Sequence, residues 1–290
     1  MAFTTLIGTD ELAGHLADAR WITVDCRFQL ADQAWGRHEY LTAHIPGAVY
    51  AHLNQDLSAP LTGANGRHPL PDPETLIQTF IRLGIGSGMQ VVVCDQDSGM
   101  FASRLWWMLR WMGHESVALL DGGFRKWLAE GRPVDTGNNA RPPGRFTGAP
   151  QPGMALGARD VLALLGRSDV KLLDARAQER YRGDIEPIDR VPGHIPGAVN
   201  YHFQQNVDDQ GQFRSPEALR SRLSMTLGDT PPDHVVHYCG SGVTACHNVL
   251  AMEIAGLRGA KLYPGSWSEW SSDPARPVER SPQKEKGPVL

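Results

Sequence analysis

Short apolar runs alternate with stretches of helical period along most of this chain, and the whole pattern occurs twice. The first series opens with Trp21-Ile22-Thr23-Val24-Asp25-Cys26-Arg27, and its counterpart is Val170-Lys171-Leu172-Leu173-Asp174-Ala175-Arg176. Each run ends in Asp-x-Arg. Further on, Val91-Val92-Val93-Cys94 and Val235-Val236-His237-Tyr238 form a second matched pair of apolar runs. Each leads into a Gly/Ser loop and then a helix-like pattern, over 101–112 in one copy and 244–255 in the other. Runs of four to seven residues that alternate with helical segments predict an α/β fold with a largely parallel sheet.

The repeat is also literal. Ala43-His44-Ile45-Pro46-Gly47-Ala48-Val49 returns as Gly193-His194-Ile195-Pro196-Gly197-Ala198-Val199. Each copy ends in a turn of glycines and aromatics, Gly122-Gly123-Phe124-Arg125-Lys126-Trp127 and Gly265-Ser266-Trp267-Ser268-Glu269-Trp270. The unit is far longer than a solenoid repeat, so each copy is read as a domain. The predicted organisation is one domain over 1–137, a linker over 138–153, a second domain over 154–281 and a loose polar tail over 282–290. The linker is placed where Gly, Pro, Asn and Arg dominate and no hydrophobic period is present.

Bulk properties narrow the function. The chain has 290 residues, 41 % of them hydrophobic and 21 % charged, enough to bury two cores. A net charge of −4 and a pI near 6.2 lack the basic footprint of a general nucleic-acid binder. No apolar stretch approaches the roughly 18 residues that span a bilayer. Residues 1–20 carry Asp10, Glu11 and Asp18, which fit neither a secretory signal nor a transit peptide. The sequence therefore predicts a cytoplasmic protein that engages neither membrane nor nucleic acid. Four scattered cysteines (Cys26, Cys94, Cys239, Cys246) with no CxxC predict free thiols, with no disulfide scaffold and no zinc site.

One cysteine stands out. Cys239-Gly240-Ser241-Gly242-Val243-Thr244-Ala245 follows a predicted strand and precedes a predicted helix. Such a loop aims backbone N–H groups at the sulfur, and the helix dipole adds positive potential; both favour the nucleophilic thiolate. Taken alone, the loop also fits a buried structural cysteine beside a turn. A phosphatase of the HCx5R type is excluded: it needs an Arg where Ala245 stands and a His where Tyr238 stands. Trp106, Trp107 and Trp111 fall on a helical pattern and are read as core or domain-interface residues. Cys26, Cys94 and Cys246 are read as core. Trp267 and Trp270 suit either the core or a pocket wall.

The paired Asp-x-Arg strands, the duplicated HIPGA segments and the single CGSGVTA loop resemble the tandem-domain rhodanese/3-mercaptopyruvate sulfurtransferase family, from about Thr5 to Val278. The resemblance implies two tandem rhodanese-like domains, each a mainly parallel sheet flanked by helices, with the site facing their interface. It makes 1–137 the non-catalytic domain and 154–281 the catalytic one, with Gln96 at the position of Cys239 in the first copy. It also implies that Cys239 carries the transferred sulfur as a persulfide, with no metal and no organic cofactor. The neutral residues Gly240 and Ser241 resemble the mercaptopyruvate branch, in place of the cations that a thiosulfate dianion favours. In that branch the donor carboxylate needs an arginine clamp, and Arg180 and Arg190 match the two positions. Gly240, Gly242, Val243 and Thr244 complete the implied substrate site. Ser241, His44 and Asp32 are the implied proton route, whereas His194 is read as structural.

The expected activity is sulfur transfer from 3-mercaptopyruvate, through Cys239, to a small thiol, a thioredoxin-like protein or cyanide. Thiosulfate is the alternative donor. A non-catalytic binding or redox-sensing module is the alternative of another class.

Overall fold

The computed structural model describes residues 2–281, and the predicted tail over 282–290 lies outside them. The first half forms β1 (Leu6–Ile7), α1 (Thr9–Gly14), β2 (Trp21–Asp25), α2 (Trp35–Thr42), β3 (Val49–Tyr50), α3 (Pro73–Arg82), β4 (Gln90–Cys94), α4 (Ala102–Trp111), β5 (Val117–Leu120) and α5 (Gly123–Ala129). The second half forms α6 (Ala158–Leu164), β6 (Lys171–Asp174), α7 (Gln178–Arg182), β7 (Val199–Asn200), α8 (Pro216–Leu227), β8 (Val235–Tyr238), α9 (Thr244–Ile254), β9 (Lys261–Leu262) and α10 (Ser266–Trp270). Two sheets result, ordered β1-β5-β4-β2-β3 and β7-β6-β8-β9, and every pairing within them is parallel. Helices cover both faces of such sheets, which is why β4 and β8 read as unbroken apolar runs and are buried throughout.

The duplicated motifs turn out to be one structural device. Arg27 pairs with Asp25 (2.7 Å) and donates to the Ala43 carbonyl (2.6 Å); Arg176 pairs with Asp174 (2.6 Å) and donates to the Gly193 carbonyl (2.6 Å). Each Asp-x-Arg thus ties the end of a strand to the start of its HIPGA segment. Burying these pairs is tolerable because each guanidinium meets its counter-ion and a carbonyl, and each carboxylate meets its counter-ion and a backbone N–H.

The strand registers correct one alignment. Asp25 lies opposite Cys94, and Asp174 lies opposite Tyr238. The residue following each strand is therefore equivalent, and Asp95, not Gln96, occupies the place of Cys239. The hydrogen bonds agree: Phe124 N–H donates to Asp95 O, as Trp267 N–H donates to Cys239 O.

The segment over 138–153 is irregular, yet it is fastened to the first half. Gly144 N–H donates to Ile81 O, Gln151 N–H donates to Trp111 O, and Phe146 is buried. An extended strap held by one aromatic and a few main-chain bonds leaves no hydrophobic period to detect.

The halves do not hang loosely together. A single hydrophobic core runs through both, with Trp106, Trp107 and Trp111 of α4 in it together with Val249 and Leu250 of α9. Polar ties close its edges: His247 Nε2–H donates to Ser98 O (2.9 Å), and Phe213 N–H donates to the Asp121 carboxylate (2.8 Å). Trp267 and Trp270 are fully buried in a separate core of the second half, beneath the Arg176 and Arg276 guanidiniums.

Candidate active site

Cys239 follows directly on β8, and the loop to the first turn of α9 is only four residues long. Gly242 allows this tight curl. Its φ is +74°, and a Cβ there would fall 2.1 Å from the Pro264 carbonyl oxygen, so no other residue fits. The curl brings Gly242 N–H to 3.1 Å from Cys239 Sγ.

The first half contains the same cradle already filled. Asp95 is buried, and its carboxylate accepts from the N–H groups of Gly99 (2.9 Å), Phe101 (2.8 Å) and Ala102 (3.1 Å). The strand-end loop of the first half thus turns backbone N–H groups on a carboxylate, and at the equivalent place in the second half one such N–H meets the Cys239 sulfur.

Ser266 supports the loop from beneath. It is the one described residue other than glycine with positive φ, at 55°, where the first half uses Gly123 at 59°. Its hydroxyl accepts from Cys239 N–H (3.1 Å) and donates to Tyr263 O (2.9 Å). A non-glycine residue held in this region stores roughly 1–3 kcal/mol, a strain typical of functional sites.

Cys239 is almost fully covered, and its exposed edge meets a cavity of about 210 Å³. Gly240, Ser241, Val243 and Thr244 line the cavity from the loop, and Arg180 lines it from α7. Gly242 does not line it; its contribution is the bond to sulfur. From the first half come Arg67 and His68. His68 Nδ1 stands 2.7 Å from Ser241 Oγ. Burial, reinforced by the charges of Arg104 and Arg67, holds the His68 pKa down to about 3, so its ring is neutral at physiological pH. Arg104, itself fully buried, spans the joint. It donates to Gly242 O (2.8 Å) and to His68 O (2.9 Å), fixing the cysteine loop and the His68 segment relative to each other.

Three sequence expectations need correction here. His44 does not reach Ser241. Its Nδ1–H donates to Tyr40 O (2.6 Å), its Nε2 accepts from Asn139 (2.8 Å), and its ring stacks on Tyr40. His194 repeats this arrangement with Tyr181, so both HIPGA histidines lock their own turns. Asp32 is exposed and accepts from Ala34 N–H (3.0 Å) at the start of α2, where it serves as a local turn residue. Arg190 is exposed and lines a neighbouring groove, not the cavity at Cys239. The second cation beside the sulfur is Arg67. No sequence signal marked Arg67 or His68, which lie in an irregular Gly/Pro stretch without period or motif.

The other thiols face no such cavity. Burial pushes Cys246 up to about 12, and Cys26 and Cys94 well above the usual thiol range, so all three are held protonated. Among the described residues no cluster of three or more His, Cys, Asp or Glu could hold a metal ion, and no helix is long and apolar enough to cross a membrane.

Two α/β domains, one with an open cysteine cradle and one with a filled copy, define a tandem sulfur-handling architecture of the rhodanese type. The rhodanese-like domain model matches residues 8–130 and 157–273, and the chain belongs to that family. It is a sulfurtransferase, which sets aside the non-catalytic module. Over 280 residues it is 46 % identical to a probable 3-mercaptopyruvate sulfurtransferase of Pseudomonas aeruginosa, covering 96 % of this chain and 99 % of the relative. A putative thiosulfate sulfurtransferase, SseB, of Mycobacterium tuberculosis is 41 % identical over 95 % and 96 % of the two chains. The crystal structure of SseA from Escherichia coli, a 3-mercaptopyruvate sulfurtransferase, superposes with a TM-score of 0.79 at 32 % identity, covering 92 % of this chain and all of that one.

Proposed function

We propose that this sulfurtransferase takes its sulfur from 3-mercaptopyruvate and passes it, through a persulfide on Cys239, to a thiol or cyanide. The observation that carries the reading is the Cys239 sulfur, cradled by a backbone N–H at the wall of a small cavity that Arg180 also lines. In the first step the Cys239 thiolate attacks the donor sulfur. An S–S bond forms, the C–S bond breaks, and the electron pair leaves with carbon as the enolate of pyruvate. One proton is taken up by that enolate, and the Ser241–His68 pair is the proposed route for it. The acceptor nucleophile then removes the outer sulfur and restores the Cys239 thiolate. A covalent enzyme form between two half-reactions makes the kinetics ping-pong.

The domain limits 1–137 and 154–281 and a cytoplasmic location belong to the same reading, supported by the matched spans and by four free thiols. Thiosulfate stands as a second donor. Arg67 and Arg180 bring cations to the sulfur that the loop sequence lacks, and SseB carries a thiosulfate name.

Steady-state kinetics with both donors decide between them, and mercaptopyruvate is expected to have the higher kcat/KM. Arg180→Ala is expected to lower kcat/KM for mercaptopyruvate by roughly tenfold to a hundredfold, since a charge-assisted bond to the donor carboxylate, worth about 1.5–3 kcal/mol, is lost. A wild type that prefers thiosulfate, together with an equal loss on both donors in the variant, would hand the assignment to thiosulfate.

A further inference from the structure

The loop itself is neutral next to the sulfur, but the fold is not. A Cβ built on Gly240 would lie 2.7 Å from Arg67 Nη2 and 3.5 Å from Arg180 Nη1, so two guanidiniums from different domains flank the residue after Cys239. Asp189 joins them. One carboxylate oxygen is paired with Arg67 Nη1, and the other accepts from Arg180 Nη2 at 2.9 Å. The Asp189 side chain is only 4 % exposed and lines the groove behind the two arginines, not the cavity that holds Cys239. Glu186 also meets Arg180 (2.7 Å), but it is committed elsewhere as well: it pairs with Arg176 and accepts the N–H groups of Ile188 and Asp189. Asp189 is thus the carboxylate shared by both guanidiniums that face the donor.

We propose that Asp189 is a specificity-determining residue: by cancelling one positive charge behind the Arg67–Arg180 pair, it tunes the donor seat to a monoanionic carboxylate and against a dianion. The inference rests on the reading of the cavity as the donor site. A fixed charge a few ångströms from a bound anion acts on a dianion about twice as strongly as on a monoanion, and the partly buried setting weakens solvent screening. Removing the Asp189 charge therefore strengthens the seat for both ions, but more for the dianion. The role is purely one of binding, because Asp189 does not line the cavity and transfers no proton.

The test is the ratio of kcat/KM for thiosulfate to that for 3-mercaptopyruvate. Asp189→Asn keeps the shape and one acceptor for the arginines, and it is expected to raise the ratio about tenfold, mostly through KM. Asp189→Glu, which keeps the charge, should leave the ratio near the wild-type value. Arg67→Gln should move the ratio the opposite way, and it keeps the test alive if Asp189→Asn fails to fold. Competition by sulfate and by pyruvate adds a reading that needs no turnover of either ion, with sulfate inhibition gaining more than pyruvate inhibition in Asp189→Asn. An unchanged ratio in folded Asp189→Asn or, where that variant does not fold, in Arg67→Gln overturns the inference while leaving the donor assignment intact. A wild type that prefers thiosulfate, with the ratio still rising in Asp189→Asn, overturns the donor assignment and leaves this inference standing.

Discussion

Cys239→Ser should abolish sulfur transfer, with kcat falling by at least about a thousandfold, as expected when a covalent nucleophile is removed. The expectation follows from the contrast among the four thiols. Cys239 alone combines an N–H donor at its sulfur with a place on a cavity wall. Cys26, Cys94 and Cys246 are sealed in the core and kept protonated by burial. After donor treatment without acceptor, mass spectrometry of the wild type should find one added sulfur, about 32 Da, on the Cys239 peptide, and reductant should remove it. Sulfur found on another cysteine, or substantial turnover in Cys239→Ser, would end the persulfide account. Ser is the right replacement because it is nearly isosteric and leaves the bond between Cys239 N–H and the Ser266 hydroxyl in place.

Acid should unfold this protein earlier than its carboxylates alone would. His237 and His247 are completely buried and His68 nearly so, and burial holds their pKa values at about 3, about 4 and about 3. Unfolded, each would titrate near 6.5. Below that pH the unfolded chain binds protons that the folded chain refuses, so stability is whole above about pH 6.5 and is lost as pH falls towards 4. Each histidine contributes up to about 1.4 kcal/mol per pH unit in that window, or roughly 2 kcal/mol at pH 5. Asp25, Asp95 and Asp189, whose pKa values burial raises, act in the opposite sense and make the total slope a difference. His237 isolates the effect. Its Nε2 meets only the Met252 sulfur, and its Nδ1 has no partner among the described residues. Denaturant unfolding between pH 5 and 7 should show a slope smaller by about one proton in His237→Gln than in the wild type. Equal slopes would mean that His237 takes up its proton in the folded state.

Much of the site was legible because its cues are local. The glycines of 239–244 declare a tight loop whatever surrounds it, and the strand–loop–helix order puts backbone N–H groups beside a sulfur. The Asp-x-Arg and HIPGA repeats were legible as motifs, but their chemistry was not. A buried Asp–Arg pair that clips a turn and a catalytic pair use the same residue types, and only its hydrogen bonds showed that the His44 ring, like the His194 ring read as structural from the sequence, serves its own turn. Equating Gln96 with Cys239 failed by one residue because the two loops differ in length, and strand register alone fixes the equivalence at Asp95.

The sequence by itself determined the duplication, the α/β class and the absence of a cation within the loop of its candidate cysteine, since each depends on residues adjacent in the chain. Tertiary structure decided what surrounds the sulfur. Ser241 finds its histidine 173 positions away, in the first domain, and Arg67 meets Asp189 across 122 positions. Those partners come from an irregular stretch with no period or motif, and they are positioned by a core common to both domains and by Arg104 bonding to carbonyls on either side of the joint. The Arg67 charge beside the sulfur is thus a property of how the domains pack, and the sequence around Cys239 could not reveal it.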